Sequence, residues 1–191
     1  MDIRQTADSY IARLSSALER LDRGEVERFI ALLLEAYERE AHIFVIGNGG
    51  SAATAGHFAC DLNKGVTHGM KKRFRAVALA DSQASLMAYA NDTCYEDVFI
   101  EPLRNFLRPG DLVVALSGSG NSKNVLRAVE YANENGGVTV GLTGYDGGEL
   151  RRIAQHSVNA RTDDMQVSED IHLAVTHIAM QAAIAALKCQ R

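Results

Sequence analysis

Gly47-Asn48-Gly49-Gly50-Ser51 directly follows the apolar run Ile43-Phe44-Val45-Ile46, and this junction decides the fold. An apolar run that does not alternate in polarity is typical of a parallel strand covered on both faces. Glycines directly after such a strand predict a tight turn into a helix, where the backbone can approach a ligand closely. The free N–H groups at the start of that helix suit an anion.

A second junction of the same kind lies further along the chain. Ser117-Gly118-Ser119-Gly120-Asn121-Ser122 follows the apolar run Leu112-Val113-Val114-Ala115-Leu116. We call residues 47–51 the first loop and residues 117–122 the second loop. Small residues with hydroxyls at both strand-to-helix junctions predict a site for a phosphorylated ligand.

The chain alternates between strands and helices from His42 onward. The pattern predicts an α/β fold, a doubly wound five-stranded parallel sheet flanked by helices, with ligands at the carboxyl ends of its strands. The predicted strands cover residues 42–47, 75–80, 111–116, 137–142 and 156–160. The helices between them are predicted at 51–64, 82–90 with 96–107, 121–135 and 147–154.

Helical periodicity also marks both ends of the chain. Apolar residues recur at threes and fours over residues 2–22 and again from Val26 to Tyr37, which predicts two leading helices within residues 1–40. Their apolar stripes favour contact with a second subunit. The helix expected at 166–188 is apolar nearly all round, so we expect it to be largely buried. Nothing marks a linker, so we expect residues 1–191 to form a single domain.

Composition excludes several classes of protein. The formal net charge is −4, which disfavours nucleic acid as a partner. The sequence shows no apolar stretch of the length that a membrane span needs, which is about 20 residues. Cys60, Cys94 and Cys189 are odd in number and widely spaced, so a disulfide framework is not expected and a reducing cytoplasm is the natural compartment.

Two helices carry residue types suited to chemistry. His57 and Asp61 are four apart and therefore share one helix face, where they could hold a metal ion or exchange a proton. On the last helix, Asp170 lies on nearly the same stripe as His177, and Glu169 lies about 80° away on an ideal helical wheel. Helical geometry thus allows His177 to pair with either acid, whereas it turns His172 about 140° away.

Two other features have ordinary structural interpretations. Asn91-Asp92 is predicted to lie in a loop, as a turn or a helix cap. The first loop also fits the dinucleotide-binding pattern G-x-G-x-x-A, with Asp81 as its acidic residue. That acidic residue should follow after about 20 residues, whereas Asp81 comes 34 residues after Gly47, and the second loop has no role in that interpretation.

The ordered set of motifs resembles a known family over nearly the whole chain. The two loops together with His57-Phe58-Ala59 look like a sugar isomerase (SIS) domain of flavodoxin-like topology. The resemblance is closer to the phosphoheptose isomerases, which act on sedoheptulose 7-phosphate. It is carried by residues 57–62, Asn91-Asp92, residues 142–148 and Glu169-Asp170-Ile171-His172 with His177.

The resemblance implies roles for individual residues. It implies a zinc site, catalysis by Asp61 and His177, and sugar contacts from Asn91 and Asp92. It also implies a homotetramer with active sites between subunits. The implied zinc ligands are His57, Asp61, Glu169 and His177. The implied substrate-binding residues are Asn48, Gly49, Gly50, Ser51, Asp61, Asn91, Asp92, Ser117, Gly118, Ser119, Ser122 and Glu169.

Two positions depart from the family pattern, which commonly has Glu where this chain has Asp61 and Gln where it has Glu169. Asp is one methylene shorter, so its carboxylate would lie about 1.5 Å back, a shift of the size that slows catalysis. The expected activity is isomerisation of sedoheptulose 7-phosphate to glycero-manno-heptose 7-phosphate through an enediolate. The alternative is a non-catalytic SIS protein that binds sugar phosphates or other proteins, such as a regulator of replication initiation. Relatives of that kind tend to lack the carboxylate and imidazole that this chain keeps.

Overall fold

The computed structural model describes residues 2–188, whose centre is a five-stranded sheet with all strands parallel. The strand order is β2-β1-β3-β4-β5, the flavodoxin-like order of a doubly wound sheet. This confirms the predicted fold class. The strands are β1 His42–Gly47, β2 Arg75–Ala78, β3 Leu112–Ser117, β4 Val138–Thr143 and β5 His156–Asn159.

The helices occupy the predicted stretches with shifted ends. They are α1 Ile3–Arg20, α2 Arg23–Glu38, α3 Gly50–Cys60, α4 Gln83–Asp92, α5 Ile100–Phe106, α6 Lys123–Glu134, α7 Gly148–Ile153 and α8 Met165–Lys188. The helix predicted at 51–64 ends as an α-helix at Cys60 and continues as a π-helical segment, Asp61–Val66. Cys189 lies outside the described residues.

Two sequence predictions about the region after β2 were wrong. The strand expected at 75–80 stops at Ala78, because Leu79–Asp81 form a 3₁₀ turn. Asn91 and Asp92, expected in a loop, are the last two residues of α4. Local polarity suggested a turn there, but the helical backbone continues to Asp92 and the chain leaves it only at Thr93.

Alternate residues of the central strands enter two separate cores. Ile43 and Val45 of β1 pack with α2, α3 and α8, whereas Phe44 and Ile46 pack with α5, α6 and α7. This alternation is what a sheet covered on both faces requires. The sheet therefore holds α3 and α8 on the same face, where they contact each other.

Helix α8 combines burial with an unusual composition. Nine of its 24 residues are buried, among them Ile171 and Val175. The helix is therefore less buried than the sequence predicted, because only one face enters the core and Ile178 is 43% exposed. By length and composition alone α8 could cross a membrane, which contradicts the sequence expectation that no stretch is long and apolar enough. A core helix of a globular protein meets the same criterion, and α8 packs in this way against α1, α2 and α3.

The strand order brings the two loops together. β1 and β3 are neighbours, with Gly47 opposite Leu116, although β2 separates them in sequence. The chain leaves β1 toward one edge of the sheet and returns at β3 toward the other, so the carboxyl ends of these strands form the topological switch point. Ligands of open α/β sheets bind at such a point.

Candidate functional site

The first loop depends on glycine for its shape. A Cβ on Gly47 would lie 2.8 Å from the Ser51 Cβ, so only glycine lets the strand turn this tightly into α3. Gly49 has φ 53° and ψ −121°, a conformation that favours glycine, and a Cβ there would meet nothing within 4 Å. The loop therefore has an open side at Gly49. Asp81 packs instead against Gly56, further along α3, away from the loop where a dinucleotide would need it.

The second loop is lined by serine hydroxyls and closely packed. Ser117 Oγ accepts a hydrogen bond from the Gly120 N–H (3.1 Å) and lies 3.5 Å from Ser122 Oγ. Ser119 Oγ accepts one from the Asn121 N–H (3.3 Å). Gly120 has φ 66°, and a Cβ there would lie 2.0 Å from the Gly147 carbonyl oxygen. The segment after β4 therefore packs directly against this loop.

A pair of asparagines ties the two loops together. Asn48 Nδ2 donates to Asn124 Oδ1 (2.9 Å), and Asn124 Nδ2 donates to Asn48 Oδ1 (2.8 Å). Asn124 lies in the first turn of α6, directly after the second loop, and is 2% exposed. Asn48 and Asn124 therefore fix the separation of the two loops.

His57, Asp61 and His177 converge at the contact between α3 and α8. Asp61 Oδ2 lies 3.5 Å from His57 Nε2 and 3.8 Å from His177 Nε2. The two imidazole rings meet edge to face with their centroids 5.0 Å apart. Asp61 is the first residue of the π-helical segment, and its carboxylate is largely shielded from solvent. The shorter Asp side chain thus reaches both histidines.

The structure places Glu169 apart from this cluster. A Cβ on Gly50 would lie 2.8 Å from Glu169 Oε2 and 2.9 Å from Oε1, so the carboxylate rests against the first turn of α3. A negative charge is favourable at a helix N-terminus. Gly50 lies seven residues before His57, a rise of about 10 Å along α3. Glu169 therefore faces the first loop in this conformation.

The other polar residues of α8 have different neighbours. Asp170 Oδ2 accepts a hydrogen bond of 2.6 Å from the Tyr10 hydroxyl, which raises the pKa of Tyr10 to about 12. This contact joins α1 to α8 and directs Asp170 away from His177. His172 is 2% exposed, and burial lowers its pKa to about 4 while the nearby Thr143 backbone opposes that shift. His172 is thus a neutral core residue at neutral pH.

The donor set of the cluster fits a metal ion. The nitrogens of His57 and His177 and a carboxylate oxygen of Asp61 all lie within 4.8 Å of one another. Two imidazoles and a carboxylate, with a further position open, are typical ligands of a catalytic zinc site. Glu169, the fourth ligand implied by the sequence resemblance, is not brought into this group.

Asn91 and Asp92 are exposed at the end of α4, where Asn91 Nδ2 donates to Asp92 Oδ1 (2.8 Å). The 3₁₀ turn after them, Tyr95–Asp97, reaches the first loop, because the Tyr95 hydroxyl donates to Asn48 Oδ1 (2.9 Å).

Sequence reasoning missed both Asn124 and Tyr95. Asn124 carries a detectable signal, because it lies on the same helix face as the apolar residues Val125, Ala128 and Val129. A polar amide on a buried face is costly unless it is hydrogen-bonded, so this position predicts a partner. The sequence around Tyr95 carries no comparable signal.

Comparison with known proteins gives a consistent result. The sequence profile of the SIS domain family matches residues 8–144. A probable phosphoheptose isomerase of Thermoplasma acidophilum is 39% identical over 138 residues, which cover 71% of this chain and 74% of that protein. The phosphoheptose isomerase of Helicobacter pylori strain P12 is 35% identical over 165 residues, or 86% of this chain and 85% of the relative.

A solved structure extends the similarity to three dimensions. The phosphoheptose isomerase of Neisseria gonorrhoeae superposes with a TM-score of 0.89 at 28% identity. The superposition covers 96% of this chain and all of the other. It includes the leading helices and α8, so the helices that carry the histidine and carboxylate cluster belong to the shared architecture.

Proposed function

The chain belongs to the SIS domain family and, within it, to the phosphoheptose isomerases, which are sugar-phosphate isomerases; from this membership we propose that it interconverts sedoheptulose 7-phosphate and glycero-manno-heptose 7-phosphate. The observation that carries the proposal is the convergence of His57, Asp61 and His177 beside α8. Isomerisation between a ketose and an aldose needs groups that exchange protons, and this cluster supplies a carboxylate and imidazoles.

The separation of the cluster from the loops favours a long substrate. His57 lies about 10 Å along α3 from Gly50, at the first loop. A sugar phosphate held by its phosphate at the loops, with its carbonyl end at His177, would extend along the contact between α3 and α8. A seven-carbon chain suits this span better than a triose.

The proton is moved by Asp61 and His177. One of them removes the proton from the carbon next to the carbonyl, and the resulting enediolate is reprotonated at the neighbouring carbon. The second group moves the proton between the two oxygens, so that atoms and charge balance over the cycle. Asp61 Oδ2 lies 3.8 Å from His177 Nε2, so both groups can act on adjacent atoms of one substrate.

The loops hold the other end of the substrate. Ser117, Ser119 and Ser122, with Ser51 and the backbone of residues 48–50, supply hydrogen-bond donors to the phosphate. Binding energy from this non-reacting group orients the sugar at the cluster. Asn91 and Asp92, exposed at the end of α4, would contact the sugar hydroxyls.

The resident metal is proposed to be zinc, held by His57, Asp61 and His177. When bound, it would polarise the carbonyl and hydroxyl oxygens as a Lewis acid. Glu169 remains available as a further ligand if its side chain leaves Gly50. Metal analysis of protein purified without chelator, together with activity before and after chelation, tests this assignment; no zinc and no effect of chelation would overturn it.

The assembly is proposed to be a homotetramer in the cytoplasm. Helix α1 exposes Ile3, Ile11 and Leu18, which are 77%, 60% and 38% accessible. Ile178 of α8 is 43% accessible and lines the same apolar groove as Leu18. Exposed apolar residues grouped in this way favour contact with another subunit. Light scattering with a monomeric mass would overturn this proposal.

The alternative function is a non-catalytic module that binds a sugar phosphate or another protein. The loops alone would serve such a module, but it has no use for the imidazole and carboxylate at His177 and Asp61. Their convergence favours an enzyme.

The decisive experiment is an NMR assay in D₂O with sedoheptulose 7-phosphate and a panel of hexose phosphates. We expect deuterium to enter at C1 or C2 together with formation of the aldose, fastest with the heptose. Tight binding of sedoheptulose 7-phosphate without exchange or turnover in the metal-loaded protein would favour the binding module.

A further inference from the structure

We propose that Tyr95 is a positioning residue that fastens the end of α4, with Asn91 and Asp92, to the phosphate-binding loops. The inference rests on the proposed function and deepens it, because it assigns the recognition of the sugar to the end of α4, a segment separate from the phosphate-binding loops. Tyr95 lies three residues after Asp92 and belongs to none of the motifs that marked the site in the sequence.

The Tyr95 hydroxyl completes a hydrogen-bond network centred on Asn48. Asn48 Oδ1 accepts from the Tyr95 hydroxyl at 2.9 Å and from Asn124 Nδ2 at 2.8 Å. A carbonyl oxygen has two lone pairs, so both are used. The network therefore joins the first loop, the helix that follows the second loop, and the turn that follows α4.

A second anchor holds the same turn. Asp97 Oδ1 pairs with Arg127 Nη1 of α6 at 2.6 Å, and the Cys94 thiol donates to Asp97 Oδ2 at 3.2 Å. The turn is thus fixed to α6 at Asp97 and to the first loop at Tyr95. Asn91 and Asp92 stay exposed just before it, and their direction relative to the loops depends on these two anchors.

Because Tyr95 is exposed, its positioning role can be tested without a large effect on the stability of the protein. The residue is 51% exposed, so its ring contributes little to either core. A single exposed hydrogen bond contributes about 1 kcal/mol, which is too little to unfold the protein when it is lost. Removing the hydroxyl should therefore release the sugar-contact segment and leave the fold and the phosphate loops intact.

The test compares Tyr95→Phe with Tyr89→Phe. Tyr89, on α4, is a matched control. Its hydroxyl accepts a hydrogen bond from Asn105 Nδ2 of α5 (3.4 Å), whereas the Tyr95 hydroxyl donates to the first loop. For each protein the measurements are kcat and KM with sedoheptulose 7-phosphate, the inhibition constant of inorganic phosphate, and the midpoint of thermal unfolding.

For Tyr95→Phe we expect KM for the heptose phosphate to rise by about three- to tenfold, the size of one lost hydrogen bond. The inhibition constant of inorganic phosphate and the unfolding midpoint should match the wild type. Tyr89→Phe should change neither constant. An unchanged KM in Tyr95→Phe, or a parallel loss of affinity for inorganic phosphate, would overturn the inference.

Failure of the proposed function gives a different result. If the wild-type protein binds sedoheptulose 7-phosphate without turning it over, the isomerase proposal fails. The Tyr95 inference is then decided by calorimetry with the same two ligands. A selective loss of heptose phosphate affinity in Tyr95→Phe supports the inference, and equal affinities of the variant and wild type contradict it.

Discussion

The two loops have similar sequences but different surroundings. The first loop is open at Gly49, where a Cβ would meet nothing within 4 Å, and the Glu169 carboxylate rests against its Gly50. The second loop is enclosed, because a Cβ on Gly120 would lie 2.0 Å from the Gly147 carbonyl oxygen. Two glycine-rich junctions at neighbouring strands are therefore not equivalent anion sites.

This difference indicates that the two loops contribute unequally to phosphate binding. The chain's own carboxylate already lies at the start of α3, which disfavours a second anion there. The serines of the second loop contact one another and backbone N–H groups instead. We infer that the second loop makes the main phosphate contacts and that the first loop, tied to it by Asn48 and Asn124, supplies weaker contacts to the same phosphate. The proposed chemistry lies beyond both, where His57, Asp61 and His177 converge.

Replacing His177 by Ala tests whether the chemistry is separate from the loops. We expect kcat to fall by about 10²- to 10⁴-fold, the contribution of a positioned acid or base, with an inhibition constant for inorganic phosphate within about threefold of the wild type because the loops are untouched. The control is His68→Ala, which removes an exposed histidine after the π-helical segment. Full activity in His177→Ala would defeat the catalytic assignment.

Replacing Ser119 by Asp tests whether the second loop holds the phosphate. A carboxylate within a few ångströms of the phosphate adds like-charge repulsion, so KM should rise at least about tenfold. Ser85→Asp, at an exposed position on α4, controls for the added charge. Steady-state kinetics with the heptose phosphate measures both variants, and an unchanged KM in Ser119→Asp would place the phosphate elsewhere.

Alanine at Gly120 and at Gly49 compares the rigidity of the two loops directly. Both residues have positive φ (66° and 53°), so each substitution adds backbone strain. Only Gly120→Ala also forces a contact with backbone, and such overpacking adds about 1–3 kcal/mol. Denaturant unfolding should therefore show the larger loss of stability for Gly120→Ala. Equal losses of unfolding free energy in the two variants would show that the second loop accommodates a Cβ as easily as the first.

Sequence patterns predicted the sheet and the two glycine-rich loops at its edge because both depend on local signals. Non-alternating apolar runs marked the central strands β1 and β3, and β1 was placed at its observed ends, residues 42–47. The ends of α3 and α4 were less accurate. No propensity rule indicates that the helix would change to π geometry at Asp61, or that Asn91 and Asp92 would remain helical.

The parts of the site that sequence could not predict depend on contacts between distant elements. The helical wheel left His177 free to pair with Glu169 or Asp170, because a wheel describes one helix in isolation. The structure pairs His177 with neither acid, because Tyr10 binds Asp170 and Glu169 rests against Gly50. The carboxylate beside His177 is that of Asp61, at 3.8 Å. The reach of Asp61 likewise depends on how closely α8 approaches α3.

Replacing Glu169 by Gln makes the smallest and most discriminating change. Glutamine keeps the shape of the side chain and removes its charge from the start of α3. If the phosphate binds mainly at the second loop, the lost repulsion acts across solvent, and the affinity for inorganic phosphate should rise by no more than about threefold at physiological salt. A phosphate at the first loop would lie directly against this carboxylate, and its affinity should then rise at least about tenfold. Calorimetry with inorganic phosphate separates the two cases, and a tenfold rise would reverse the roles that we assign to the loops.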